Sequence, residues 1–148
     1  MLLTAGRTCF YLQLYWYWFY CCKGVLANNE VSSNEISALQ SLYDSTNGES
    51  WDWSAATAGA HWDFSGDPNP CLDGWQGITC NSECSNIASS TCTISELDLP
   101  NYNLDGTLPL ELHLLSSLDL CELNQNKKLS GTLPSEIGSM TNLLTLEI

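Results

Sequence analysis

Leu104-Asp105-Gly106-Thr107-Leu108-Pro109 returns 25 residues later as Leu129-Ser130-Gly131-Thr132-Leu133-Pro134. The apolar residues behind each proline keep step. Pro109 is followed at +3, +6, +9, +12 and +14 by Leu112, Leu115, Leu118, Cys121 and Leu123. Pro134 is followed at the same offsets by Ile137, Met140, Leu143, Leu146 and Ile148. A period in the twenties with apolar residues at fixed offsets marks a stacked solenoid, in which each coil buries its apolar face on the next. Such folds present extended surfaces and act by binding.

A chain of 148 residues suffices for one domain. Acidic residues number 17 against 4 basic ones, for a formal net charge of −13. Phosphate binding needs Lys and Arg, so this balance argues against nucleic acid, and no nucleic-acid partner is expected. Basic peptides, cations and neutral glycans remain. Solubility is the plainer account of the same charge.

Residues 1–27 differ from the rest. Met1 to Thr8 carries Arg7 and no acid, and Cys9 to Cys22 forms one uncharged run. Val25-Leu26-Ala27 then offers a cut before Asn28. The pattern is that of a secretory signal. The run is short against the roughly 20 apolar residues of a membrane span, and its Tyr and Trp residues prefer the interface. The segment is therefore expected to be a signal peptide or an uncleaved signal anchor. Either places the chain in the secretory pathway, extracellular or at the cell surface. Cleavage would leave Lys127 and Lys128 as the only Lys or Arg, and no Asn-x-Ser/Thr sequon occurs.

Residues 28–93 are expected to cap the open end of the stack, and 94–148 to form the repeats, two complete and a third cut within its strand. Ser32 and Glu35 make a capping box, with Val31 and Ile36 as a hydrophobic staple. Ile36, Leu39, Leu42 and Tyr43 keep helical spacing, and Asn47-Gly48 can end the helix in a left-handed turn. The helix should lay its apolar side over the first coil. Trp51, Trp53, Trp62 and Trp75 follow in irregular chain, where tryptophans pin loops to a core. Trp53, flanked by Asp52 and Ser54, is the candidate for a sugar-stacking role instead.

Cys71, Cys80, Cys84 and Cys92 form an even set in an exported segment and are expected to be disulfide-bonded. Four cysteines allow three connectivities. Cys71–Cys80 with Cys84–Cys92 closes two short loops without crossing. No Cys-x-x-Cys spacing occurs and His61 lies far upstream, so no metal is assigned. Cys121 takes a position that is leucine in the next coil, and reads as a buried free thiol.

Leu39 to Trp51 (Leu-Gln-Ser-Leu-Tyr-Asp-Ser-Thr-Asn-Gly-Glu-Ser-Trp) resembles the N-terminal cap of plant-type leucine-rich-repeat proteins. So does Pro70-Cys71-Leu72-Asp73-Gly74-Trp75-Gln76-Gly77-Ile78-Thr79-Cys80, and the Leu-x-Gly-x-Leu-Pro phrases resemble the plant-specific repeat. The resemblance covers roughly residues 35 to 148. It implies an α/β fold: a right-handed leucine-rich-repeat solenoid with one parallel strand per repeat, capped by an N-terminal helix and disulfide-stapled loops. It also implies a receptor-like ectodomain or a secreted inhibitor, and pairing of the cysteines in the cap. Two positions depart from the pattern. Tyr102 stands where the first ladder asparagine is expected, while Asn126 is in place in the second repeat. The step from Leu97 to Cys121 is 24 residues, one short of the next.

Alternation along each strand points Leu97 and Leu99, Cys121 and Leu123, and Leu146 and Ile148 inward. Asp98, Glu122 and Glu147 then stack in one column on the concave face, with Glu96 and Asp119 among the remaining exposed strand positions. Like charges stacked in this way are unfavourable unless a cation or basic peptide offsets them; in salt they can also simply be solvated. The expected function is non-catalytic recognition of a protein or peptide ligand, with this column as the candidate site. No cofactor is expected, and membrane contact only through residues 1–27 or a missing C-terminal region. The alternative is a truncated gene product or dimerising fragment, with Leu143, Leu146 and Ile148 on an open edge. His61 and His113 lie in unlike contexts with no hydrolase or phosphate-loop motif around them, so catalysis is not expected.

Overall fold

Ser32 caps the first helix as its sequence requires. Its hydroxyl accepts the Glu35 N–H at 3.2 Å, and Glu35 Oε2 accepts the Ser32 N–H at 3.3 Å. Helix α1 spans Ser33–Ser45, and Asn47 follows it in a left-handed conformation (φ 57°). These features come from a computed structural model that describes residues 30–53, 59–85 and 92–148. The expected signal segment, 1–27, lies outside the described residues. Among them, no helix is long and apolar enough to cross a membrane.

Among the described residues six strands follow: β1 (Ile78–Cys80), β2 (Ile94–Asp98), β3 (Asp105–Thr107), β4 (Leu120–Glu122), β5 (Lys128–Ser130) and β6 (Thr145–Glu147). One sheet has the order β1-β2-β4-β6, with β2, β4 and β6 parallel and β1 antiparallel on β2. β1 thereby covers an edge strand that would otherwise expose unpaired backbone groups. The parallel strand of each repeat is as expected from the sequence. A second, two-stranded parallel sheet, β3-β5, was not expected. It falls on the Asp-Gly-Thr and Lys-Leu-Ser segments, which carry too little alternation to read as strands.

Short 3-10 helices at Leu110–Leu114 and Ser135–Ser139 return the chain from the second sheet to the first. The proline before each, Pro109 or Pro134, occupies its N-cap. Between the layers, Leu97, Leu99, Leu104, Leu112, Leu115, Leu118, Cys121 and Leu123 are buried. The repeating offsets are thus the core. Helix α1 packs Ala38, Leu39 and Leu42 into the same cluster and lies against the first 3-10 helix. Burial of one leucine contributes roughly 1.5–3 kcal/mol, so this row sustains the stack.

The glycine of the repeated phrase has a packing reason. Gly106 (φ 145°) sits where any Cβ would collide with the Ser45 carbonyl oxygen. Nearby, the Asp105 N–H donates to the Thr46 carbonyl at 3.0 Å. The end of α1 is therefore docked directly onto β3.

Asn126 joins the coils. Its Nδ2 donates to the Leu99 and Leu123 carbonyls at 2.8 and 2.7 Å, and its Oδ1 accepts the Leu104 N–H at 3.1 Å. Tyr102, at the equivalent position of the first coil, turns to the cap instead. Its hydroxyl donates to Gln76 Oε1 at 3.2 Å, and its ring meets Trp53 edge-on. The departure from asparagine is thus a change of partner, from the neighbouring coil to the cap loops.

Trp51, Trp62 and Trp75 are buried and pack around Tyr43 and Phe64. Two of their indole N–H groups find carbonyls: Trp51 donates to Thr46 at 3.0 Å and Trp62 to Gln76 at 2.8 Å. Disulfides join Cys71 to Cys80 and Cys84 to Cys92, with Cα atoms 5.8 and 4.6 Å apart. Cys121 is a buried free thiol.

Candidate functional site

The register of the first sheet decides which side chains share its outer face. Asp98 pairs with Glu122, and Glu122 with Glu147. Glu96 pairs with Leu120, and Leu120 with Thr145. Leu97 and Cys121 are buried and Leu146 partly so, and they point inward. The residues between them face outward. The three carboxylates therefore stand in successive rungs, with strands about 4.8 Å apart.

Asp98 is exposed at the first rung, but its carboxyl pKa is raised from the ordinary value. Partial burial is the main cause and the neighbouring Glu96 charge the second. At the last rung, Asn124 Nδ2 donates to Glu147 Oε2 at 2.6 Å. That bond orients one carboxylate of the column. Sequence reading missed Asn124; its place two residues after Glu122 on the solvent side was the available signal.

Not every expected residue joins the column. Glu96 borders Asp98 on the same strand and faces Thr79 of β1. Asp119 precedes β4 and serves mainly through its backbone. Its N–H donates to the Ser95 carbonyl at 2.8 Å, and its own carbonyl accepts the Leu144 and Thr145 N–H groups at 2.8 and 3.0 Å. It belongs to the rim. Lys128 lies in the β3-β5 sheet and pairs with Asp105 at 3.8 Å, an exposed ion pair worth little.

Trp53 is half-buried and stacks on exposed His61, ring centroids 4.8 Å apart and planes 14° from parallel. His113 donates from Nδ1 to the Leu110 carbonyl at 2.7 Å, closing the first 3-10 helix. The two histidines thus serve different local contacts.

No family model matches the chain. Among curated proteins, it is 38% identical over 84 residues to Protein MALE DISCOVERER 2 of Arabidopsis thaliana, covering 57% of this chain and 11% of that protein. It is 35% identical over 97 residues to a probable leucine-rich repeat receptor-like protein kinase of the same plant, covering 66% of this chain and 8% of the relative. Among solved structures, the LRR ectodomain of the receptor kinase SOBIR1 from Arabidopsis thaliana superposes with a TM-score of 0.52. The match is 21% identical and covers 77% of this chain and 52% of that one. The chain has the leucine-rich-repeat fold and is similar to these plant leucine-rich-repeat proteins. It spans about a tenth of the length of the curated relatives named here.

Proposed function

We propose that the chain is a recognition module of a receptor-like protein, secreted or held at the cell surface, which binds a protein or peptide ligand through the concave sheet. Asp98, Glu122 and Glu147 are the contact carboxylates, Glu96 lies beside them and Asp119 at the rim. The ligand presents Lys or Arg. The observation that carries this reading is the parallel register that stacks the three carboxylates rung upon rung. The receptor-like relatives support the setting. In this reading the chain works by binding rather than catalysis.

The test is titration of basic and sequence-matched neutral peptides into the protein and into the variant Asp98→Asn, Glu122→Gln, Glu147→Gln. Selective binding of basic peptides that the variant loses supports the assignment. Equal affinity for both proteins removes it.

A second reading rests on a different observation. Leu133, Leu144 and Ile148 are exposed, and β6 forms the outer edge of the described sheet. Exposed apolar surface and an open edge favour association between copies of the chain. Sedimentation over a range of concentrations separates the readings, since a single monomeric species excludes self-association.

A further inference from the structure

Cys71, Cys80, Cys84 and Cys92 lie far apart in sequence for a conventional metal motif, yet folding gathers them. All four sulfur atoms fall within 4.8 Å of one another. They come from the loop before β1, from the end of β1, from the 3-10 helix Ser82–Ser85 and from the chain entering β2. Cys92 is buried and the other three are half-buried. The set is therefore enclosed, as structural metal sites are, rather than spread over the surface.

We propose that these four cysteines are a zinc site when their two disulfides are reduced. Zinc bound by four thiolates is tetrahedral with Zn–S near 2.3 Å, which sets the sulfurs about 3.8 Å apart. In the folded chain the sulfurs of different bridges already lie within 4.8 Å, so opening the bonds needs only small side-chain movements to reach that spacing. Four-sulfur tetrahedral sites select zinc among the abundant divalent ions. Spacing agrees at one point that sequence reading passed over. Cys80 and Cys84 are separated by three residues, inside the two-to-four range of structural zinc pairs, and they belong to different bridges.

Backbone hydrogen bonds also hold the scaffold around the sulfurs. β1 pairs with β2, the Asn81 N–H donates to the Thr93 carbonyl at 3.0 Å, and the Cys84 N–H donates to the Asn81 carbonyl at 3.1 Å. On the other side, the Trp75 N–H donates to the Pro70 carbonyl at 3.0 Å. These bonds tie the segments that carry the sulfurs independently of the bridges.

The chemistry balances simply. Each disulfide accepts two electrons and two protons from a dithiol, which becomes a disulfide in turn. The four resulting thiols release four protons on binding Zn²⁺ and form a tetrathiolate carrying two negative charges. The cap thus has two alternative staples, two disulfides in oxidising surroundings and one metal ion in reducing ones.

The full chain is reduced with a water-soluble phosphine, freed of reductant without oxygen and titrated with Co²⁺, then Zn²⁺. The expected result is one cobalt per chain, with strong thiolate charge-transfer and tetrahedral visible bands, displaced by equimolar zinc. Oxidised protein should show none of these. The variant Cys84→Ser, Cys92→Ser should lose the bands, and the variant Cys9→Ser, Cys21→Ser, Cys22→Ser should keep them. Should the reduced chain unfold, zinc must restore its native tryptophan emission. Absence of the bands, failure of that recovery, or equal cobalt binding by the Cys84→Ser, Cys92→Ser variant overturns the proposal.

Discussion

A carboxylate oxygen of Glu35 accepts the backbone N–H of Ile94 at 3.0 Å, across 59 residues of sequence. The other oxygen of the same group closes the N-terminal turn of α1 onto Ser32. Glu35 is buried, so one side chain both starts the capping helix and fixes it to β2, the first of the parallel strands. Its removal should leave the Ile94 N–H without its partner inside the protein. Glu35→Ala is expected to cost about 2 kcal/mol, read as a lower denaturant midpoint at unchanged slope. A midpoint equal to the parent's would show that the bond contributes nothing.

Asn126 offers the sharper test of coil-to-coil coupling. Three backbone groups of two successive coils depend on its amide. Asn126→Ala should destabilise the fold by about 3 kcal/mol, because buried groups without partners bear their full desolvation cost. Tyr102→Phe removes one hydroxyl bond to Gln76 and should cost about 1 kcal/mol. Chemical denaturation of both variants should rank them in that order; a larger loss in Tyr102→Phe would reverse the roles given to the two positions.

Much of this was legible in the sequence, for physical reasons. The repeated Leu-x-Gly-x-Leu-Pro phrase fixes the period, and the offsets behind it name the buried row from Leu112 to Leu123. Ser32 and Glu35 announce the helix start because capping is local chemistry. The Glu35–Ile94 bond was not legible, since nothing local says where the second carboxylate oxygen will point. The β3-β5 sheet escaped notice because three-residue strands have no measurable alternation. Docking of Gly106 against Ser45 also depends on how helix and coil meet. The column Asp98, Glu122 and Glu147 was readable from repeat phase alone, whereas the bond from Asn124 to Glu147 needed the fold. Gathering of the four cysteines is equally a property of the fold, because their spacing gives only the Cys80–Cys84 interval.

Asp98 makes stability depend on pH in a stated direction. Burial first, and Glu96 second, raise its carboxyl pKa in the folded chain. The folded chain then retains this proton to a higher pH than the unfolded chain. Its contribution to stability is present below the ordinary carboxylate pKa and is lost as pH rises through the folded value. Asp98→Asn removes that loss. The variant should melt above the parent near neutral pH, and the difference should shrink in acid; thermal melts across the acidic range read both. A variant less stable than the parent at neutral pH would contradict the raised carboxyl pKa.

Cys121 is predicted to be chemically silent while the chain is folded. Burial pushes its thiol up to about 12, and the thiolate is the reactive form. Iodoacetamide should leave Cys121 unmodified in native protein and alkylate it once the chain is unfolded, as peptide mapping by mass spectrometry will show. Alkylation at the native stage would mean that the second coil opens readily.

The most direct measurement is calorimetric titration of a lysine-rich peptide into the protein and into the variant Asp98→Asn, Glu122→Gln, Glu147→Gln, at low and high salt. Recognition by the carboxylate column requires binding by the parent that weakens with salt, and none by the variant. Binding of equal strength to both proteins would show that the ladder Asp98, Glu122, Glu147 is not the site.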